Sequence, residues 1–410
     1  MLRLYFCLLR SPLFRIFIVI YTVCAVALMI FGDKVITPPP ATTALQTSSP
    51  TPAPALQPFA AITPKKNLRR FDSPEYGIQA FLWWKHDVAR RDLDLIHDMG
   101  FQWVKHIFSW RDLEQIQKGH YDWYTADTII NLANRRGLKI LARLDRQPFW
   151  AQDDGGAVKL DSAPPKNYSD FGDFCYVFAS RYKGKIGAYQ VWNEPNLARE
   201  WGNRPPNPAE YVRLLSYCYA GIKAADPNAI VISAGLAPTG TDNDEAIPDD
   251  KFVRGMYAAG GASYFDVLGV NAPGYFNPPE RSPDDTEKDP QLKARWVTFR
   301  HVEDIRQIMV ANGDADKQIA ILEMGWTTDQ VNPTYSWYAV TEEQQAAYLV
   351  RAYQWAKQNW QPWIGLMSSI YIAEYSWTEK DEQYWYAITR PSFPEPDLRP
   401  AYQALKNMPK

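Results

Sequence analysis

The chain is poor in the residues from which metal centres are built. Five His and four Cys occur among 410 residues, with no C-x-x-C pair, no H-x-H and no H-E-x-x-H, so neither a thiolate zinc site nor a catalytic metal is expected. A basic surplus is also missing. The 44 Lys and Arg stand against 46 Asp and Glu, a net charge of -2, which argues against a nucleic-acid partner held through its phosphates. No G-x-G-x-x-G follows the first strand-like run and no G-K-[ST] occurs, so the fingerprints of dinucleotide and P-loop binding are absent and no cofactor is expected.

What is abundant is apolar and aromatic: 46% of residues are hydrophobic and 14% aromatic, with 22% charged, a globular rather than a disordered composition. One long uncharged run, residues 16–31, follows Arg3, Arg10 and Arg15. It reads as an N-terminal transmembrane segment with the remainder of the chain outside the cytoplasm. The other reading is a signal peptide cleaved at Ala25-Val26-Ala27, which would leave the protein secreted. Residues 37–64 hold eight Pro, six Thr and two Ser among 28 positions, a composition unable to bury a core and suited to an extended, disordered spacer. The expected organisation is therefore a membrane anchor or signal over 1–36, a linker over 37–70 and one catalytic domain over 71–410. Cys175 and Cys218 either pair in an exported domain or remain buried thiols.

From Tyr76 onward, short runs rich in β-branched and aromatic residues alternate with stretches of helical period. The pattern predicts strands near 76–82, 101–108, 138–144, 187–193, 229–234, 265–271, 318–323 and 363–371. Helices are expected near 87–99, 124–136, 168–183, 208–225, 251–260, 293–312, 342–360 and 400–407. Arg136-Gly137 and Asp226-Pro227-Asn228 act as stop signals before strands three and five. Runs such as Gln318-Ile319-Ala320-Ile321-Leu322 are apolar on both faces, as parallel strands covered by helices must be. Eight strands and eight helices in alternation predict a (β/α)8 TIM barrel.

Chemistry in such a barrel sits where the strands end. Strand four closes with Trp192-Asn193-Glu194-Pro195-Asn196, and Pro195 is expected to bias Glu194 toward an extended conformation at the rim. Strand seven closes with Leu322-Glu323-Met324-Gly325-Trp326. A carboxylate ending an apolar strand needs a partner or a function. Two of them brought together suit glycosidic bond cleavage, in which one carboxyl donates a proton and the other acts as nucleophile or base. Their mutual repulsion would separate their pKa values.

On these two elements, over roughly residues 76 to 405, the sequence resembles the retaining glycoside hydrolases of clan A, nearest to families 39 and 5. The resemblance implies Glu194 as acid/base, Glu323 as nucleophile and Asn193 as donor to the sugar 2-hydroxyl. It further implies Tyr275 as the tyrosine after strand six that hydrogen-bonds the nucleophile, and Trp377 as the ring beneath the reacting sugar. Trp110-Arg111-Asp112-Leu113-Glu114 resembles the segment after strand two in those enzymes. One departure stands out: where the family often has an Arg on strand two, this chain has Lys105-His106, so a cation at Lys105 or a proton donor at His106 would have to support Glu323.

Sugars offer C–H faces to aromatic rings. Trp84, Trp110, Trp150 and Trp326, with Trp377 and Tyr275, are therefore expected around a saccharide cleft, beside Trp83, Phe149, Trp201 and Trp385. Asp145 and Arg146 close strand three and Glu374 closes strand eight; each would bind hydroxyls or pair with another, and Glu374 is the rival for a catalytic role. The Pro-rich, acidic segment 272–292 is expected to wall the cleft. The partners expected are a carbohydrate substrate, cleaved with retention, and the membrane. The alternative is a barrel that has lost activity and only binds glycans.

Overall fold

Eight parallel strands follow the predicted runs closely: β1 (Glu75–Gln79), β2 (Trp103–Ser109), β3 (Lys139–Asp145), β4 (Ala188–Val191), β5 (Ile230–Ile232), β6 (Leu268–Pro273), β7 (Ile319–Gly325) and β8 (Ile364–Ser369). The computed structural model describes residues 70–153 and 160–410. The apolar run at 16–31 and the Pro/Thr-rich stretch lie outside the described residues; among those described, no helix is long and apolar enough to cross a membrane.

The sheet runs in the order β5-β4-β3-β2-β1-β8-β7-β6. A bridge between Ile232 and Val267 joins its two edges, helped by Asp266 N donating to Val231 O at 2.8 Å, so the sheet curls into a barrel with no free edge to manage. Its helices are α1 (His86–Asp98), α2 (Tyr124–Arg135), α3 (Tyr168–Arg181), α4 (Pro208–Ala225), α5 (Asp249–Ala258), α6 (Val302–Ala311), α7 (Glu342–Asn359) and α8 (Pro400–Asn407). The sixth is shorter than predicted, because 293–301 is taken up by loop and a 3-10 turn at Phe299–His301. A two-residue hairpin, Thr389–Arg390 with Asp397–Leu398, was not legible in the sequence.

The interior of the barrel is layered. Trp103, Leu141, Ala188, Ile232, Ala320, Leu322 and Leu366 form an apolar plug with Phe71. Side chains repeat every second residue along a strand, so the next inward positions after Trp103 and Leu141 are Lys105 and Arg143, and both are buried. Charge therefore begins one layer above the plug, at the level where the carboxylates arrive. Outside the barrel, α3 and α4 pack so closely that a Cβ at Gly221 would collide with Gly172 O. A disulfide between Cys175 and Cys218 joins these two helices, with Cα atoms 5.3 Å apart.

Candidate active site

Glu194 is presented by a tight loop after β4. Its φ is +42°, with Trp192 at +70°, so the extended conformation expected from Pro195 is not adopted. The loop instead turns back on itself: Leu197 N donates to Glu194 O, and Glu194 N donates to Gly235 O after β5, both at 2.9 Å. Left-handed backbone at non-glycine residues is unfavourable and persists only where neighbours over-determine it. Trp192 supplies one anchor, buried with its indole N–H donating to Glu200 O at 3.0 Å. Asn196 supplies the other, bonding Ala237 and Ile247 backbone through both ends of its amide.

Glu194 Oε1 accepts from Asn271 Nδ2 at 2.9 Å. Asn271 lies on β6 where the register against β7 shifts, between Val270 and Asn271, the kind of irregularity that re-aims a side chain. Gly235 makes room for it, since a Cβ there would collide with the Asn271 amide oxygen. The other Glu194 oxygen faces Arg199 at 3.6 Å, a side chain 71% exposed. Burial, reinforced by the Glu323 and Glu200 charges and opposed by Arg199 and Asn271, raises the Glu194 pKa to about 7.

Glu323 meets a different environment. Lys105 Nζ lies 2.8 Å from its Oε1 and also donates to Leu322 O at 3.1 Å, while Arg143 Nη1 lies 3.8 Å from the same Oε1. Lys105 is wholly buried; burial lowers its pKa and Glu323 offsets part of that. Burial likewise opposes the Arg143 charge, but Asp145 and Glu323 outweigh it and raise its pKa. Two desolvated cations thus stand beside one carboxylate.

Both glutamates line one cavity of about 640 Å³ at the C-terminal end of the barrel, together with Asn193, Trp377 and Tyr275. Trp377 packs on Phe81 and Tyr371, ring centroids 4.9 and 5.4 Å apart. Gln190 Nε2 donates to Asn193 Oδ1 at 3.4 Å. Tyr275 does not bond Glu323: its hydroxyl donates to Pro238 O at 3.1 Å. The phenol whose ionisation the Glu323 charge opposes is Tyr371, which follows β8, with burial the larger cause of its raised pKa.

Five expected substrate-binding residues stand away from this cavity. Trp110 is fully buried and its indole donates to Glu114. Trp326 is fully buried and donates to Asn277 O at 2.8 Å. Trp150 packs edge-on against Trp110 and donates to Glu114 O at 2.8 Å. Trp84 is 64% exposed on the loop after β1. Asp145 is buried and pairs with Arg143 rather than Arg146, while Arg146 lines the cavity. Trp110 and Trp326, the two rings that come immediately after their strands, are thus core residues rather than cleft residues.

Glu374 is buried beside Ser376, whose hydroxyl bonds it, and is not part of the cavity lining. His106 is buried with Nδ1 at 3.0 Å from Ala80 O, and burial lowers its pKa to about 4. Lys105, not His106, is the strand-two residue that reaches Glu323. Asn271, Arg143, Tyr371, Arg199 and Glu382 were missed by sequence reasoning. A usable signal existed for Arg143, a charge in the middle of an apolar strand, which demands a buried partner.

A glycoside hydrolase family 42 model, described as beta-galactosidase, matches residues 80–150. No curated protein matches the sequence significantly. Among solved structures, the chain is similar to a family 39 glycoside hydrolase from the gut symbiont Bacteroides cellulosilyticus WH2, at 16% identity and a TM-score of 0.59 over 83% of this chain and 64% of that one. It is similar to a glucosidase from Croceicoccus marinus at 12% identity and a TM-score of 0.55, over 77% of this chain and 62% of that one. With xylanase XynB from Paenibacillus barcinonensis it shares 15% identity and a TM-score of 0.51, over 82% of this chain and 96% of that one. The chain thus spans less than two thirds of the first two proteins. The resemblance to the clan A glycoside hydrolases holds in fold over most of the chain and in sequence over residues 80–150, and both comparisons lead to glycosidases.

Proposed function

We propose that this protein hydrolyses O-glycosidic bonds, β-linked, in an oligo- or polysaccharide by a retaining double displacement. The observation that carries the proposal is the opposite setting of two carboxylates in one cavity. Glu194, with its pKa raised to about 7, holds a proton near neutrality and can give it to a leaving oxygen. Glu323, flanked by Lys105 and Arg143, has its negative charge balanced and can attack the anomeric carbon.

In the first step Glu194 protonates the departing oxygen while Glu323 forms the glycosyl ester. Esterification removes the Glu323 charge, one cause of the raised Glu194 pKa, so Glu194 becomes the better base when water attacks in the second step. Asn193 would meet the 2-hydroxyl and Trp377 the apolar face of the sugar. The N-terminal run would anchor the enzyme, with the Pro/Thr stretch as spacer and the barrel outside the cytoplasm. The Cys175–Cys218 disulfide supports that compartment, because such bonds persist under oxidising conditions.

The test is hydrolysis of a panel of aryl β-glycosides and polysaccharides, with proton NMR of the first-formed anomer. Retained configuration is expected, along with complete loss in Glu323→Ala. In Glu194→Ala, substrates with poor leaving groups should suffer far more than activated ones. An inverted product would remove Glu323 as nucleophile. Glycan binding without turnover in the wild type would leave the inactive-barrel reading standing.

A further inference from the structure

We propose that Trp337 is the platform of a sugar-binding subsite on the leaving-group side of Glu194, so that the enzyme's substrate continues as further sugar beyond the cleaved bond. The proposal rests on the glycosidase reading above and adds where the leaving group lies. Trp337 ends the short helix Pro333–Ser336 after β7. It is 53% exposed, yet its ring is fixed from behind. Tyr275 lies nearly parallel to it at 6.3 Å, and Tyr338 and Phe276 meet it edge-on at 4.8 and 6.2 Å.

Tyr275 and Tyr338 are themselves buried and line the catalytic cavity. Trp337 is therefore an open aromatic surface continuous with the cavity wall. A large exposed ring held rigid by three others loses little freedom when a ligand covers it, and gains the contact area that a pyranose C–H face offers.

The side of the cleft follows from the charges around the helix. Tyr335, two residues before Trp337, faces Glu382 and Arg199, and Arg199 faces Glu194. Although it follows β7, the helix that carries the platform is thus linked through Tyr335 and Arg199 to Glu194, whereas Trp377, Phe81 and Tyr371 form a separate cluster on the β1 and β8 side. The leaving group departs towards the proton donor, so a ring resting on Trp337 is part of the leaving group. Arg199 and Glu382 line the cavity and interact with Tyr335 beside the platform, so they are available to meet sugar hydroxyls.

The experiment compares wild type with Trp337→Ala and Trp337→Phe on two probes. One is the 4-nitrophenyl β-glycoside that wild type cleaves best, and the other the hexasaccharide of that sugar among xylohexaose, cellohexaose and mannohexaose. Trp337→Ala should lose roughly tenfold or more in kcat/KM on the hexasaccharide, the scale of one lost stacking contact, and much less on the aryl glycoside. Trp337→Phe should recover most of the loss. An equal loss on both probes, or none on the hexasaccharide, overturns the subsite while leaving the glycosidase reading intact. Wild-type inactivity on every probe removes both.

Discussion

Replacing Glu194 by Gln should stabilise the protein at alkaline pH and not at acid pH. In the folded state burial and then the Glu323 charge raise the Glu194 pKa from 4.5 to about 7, while in the unfolded chain the group titrates near its ordinary value. Between those two values the native state binds more protons than the unfolded one. Stability therefore falls as pH rises through about 4.5 to 7: the contribution of protonated Glu194 is fully present below the unfolded pKa and is lost as pH passes the folded one. The difference amounts to something on the order of 3 kcal/mol above pH 7.

Gln keeps the carbonyl oxygen that accepts from Asn271 and removes the buried charge. For about 340 folded residues the entropy of unfolding implies a Tm gain of about 4 °C at pH 8, shrinking towards zero at pH 4. Differential scanning calorimetry of both proteins across this range measures it. A Tm difference that does not change with pH would refute the reasoning, because it would mean that Glu194 is not protonated by its surroundings.

With Glu194 as the proton donor proposed above, kcat/KM of the wild type should decline as pH rises through about 7, when that carboxyl ionises; a profile flat to pH 9 would contradict the proposal. Lys105→Met should lower kcat on activated aryl glycosides by roughly a hundredfold or more, since it strips the nearest cation from Glu323 in a desolvated site; steady-state kinetics with circular dichroism to confirm folding checks this. Tyr371→Phe should cost roughly ten- to a hundredfold in kcat without a change in Tm, whereas Tyr275→Phe, which frees only Pro238 O, should cost far less. Cys175→Ser should lower stability by about 4 kcal/mol on the chain-entropy account of the loop it closes, measured by denaturant unfolding with and without reductant.

Most of the barrel could be read from the sequence because its signals are local. Strands apolar on both faces, the Gly137 stop with its φ of +70° and the Asp226-Pro227 stop each act over a few residues. Glu194 and Glu323 were legible for the same reason, each closing an apolar run. The rings were not. Trp110 and Trp326 follow their strands more directly than Trp377 does, yet they are core residues and Trp377 lines the cavity, because where a ring ends up depends on contacts distant in sequence. Trp110 illustrates it, stacking on Phe174 of α3 at 5.6 Å. Asn271 was missed because a register shift against β7 aims it, and no single-strand pattern records a shift that involves two strands.

The difference in setting between the two glutamates originates mainly in the strands beside Glu323. Lys105 and Arg143 occupy the inward layer of β2 and β3 directly above the apolar plug; both reach Glu323, and Arg143 also holds Asp145. Glu194, from the opposite wall, is met by a neutral amide and by an arginine that solvent largely surrounds. A cation at 2.8 Å with its charge fully desolvated acts much more strongly than one at 3.6 Å in water. One carboxylate is therefore flanked by buried cations, while burial raises the pKa of the other to about 7 before any substrate enters. Arg199, Glu382 and Trp337 sit on loops above this layer. Changes to those loops should alter which glycan is cleaved, and changes to β2 and β3 should alter whether one is cleaved at all.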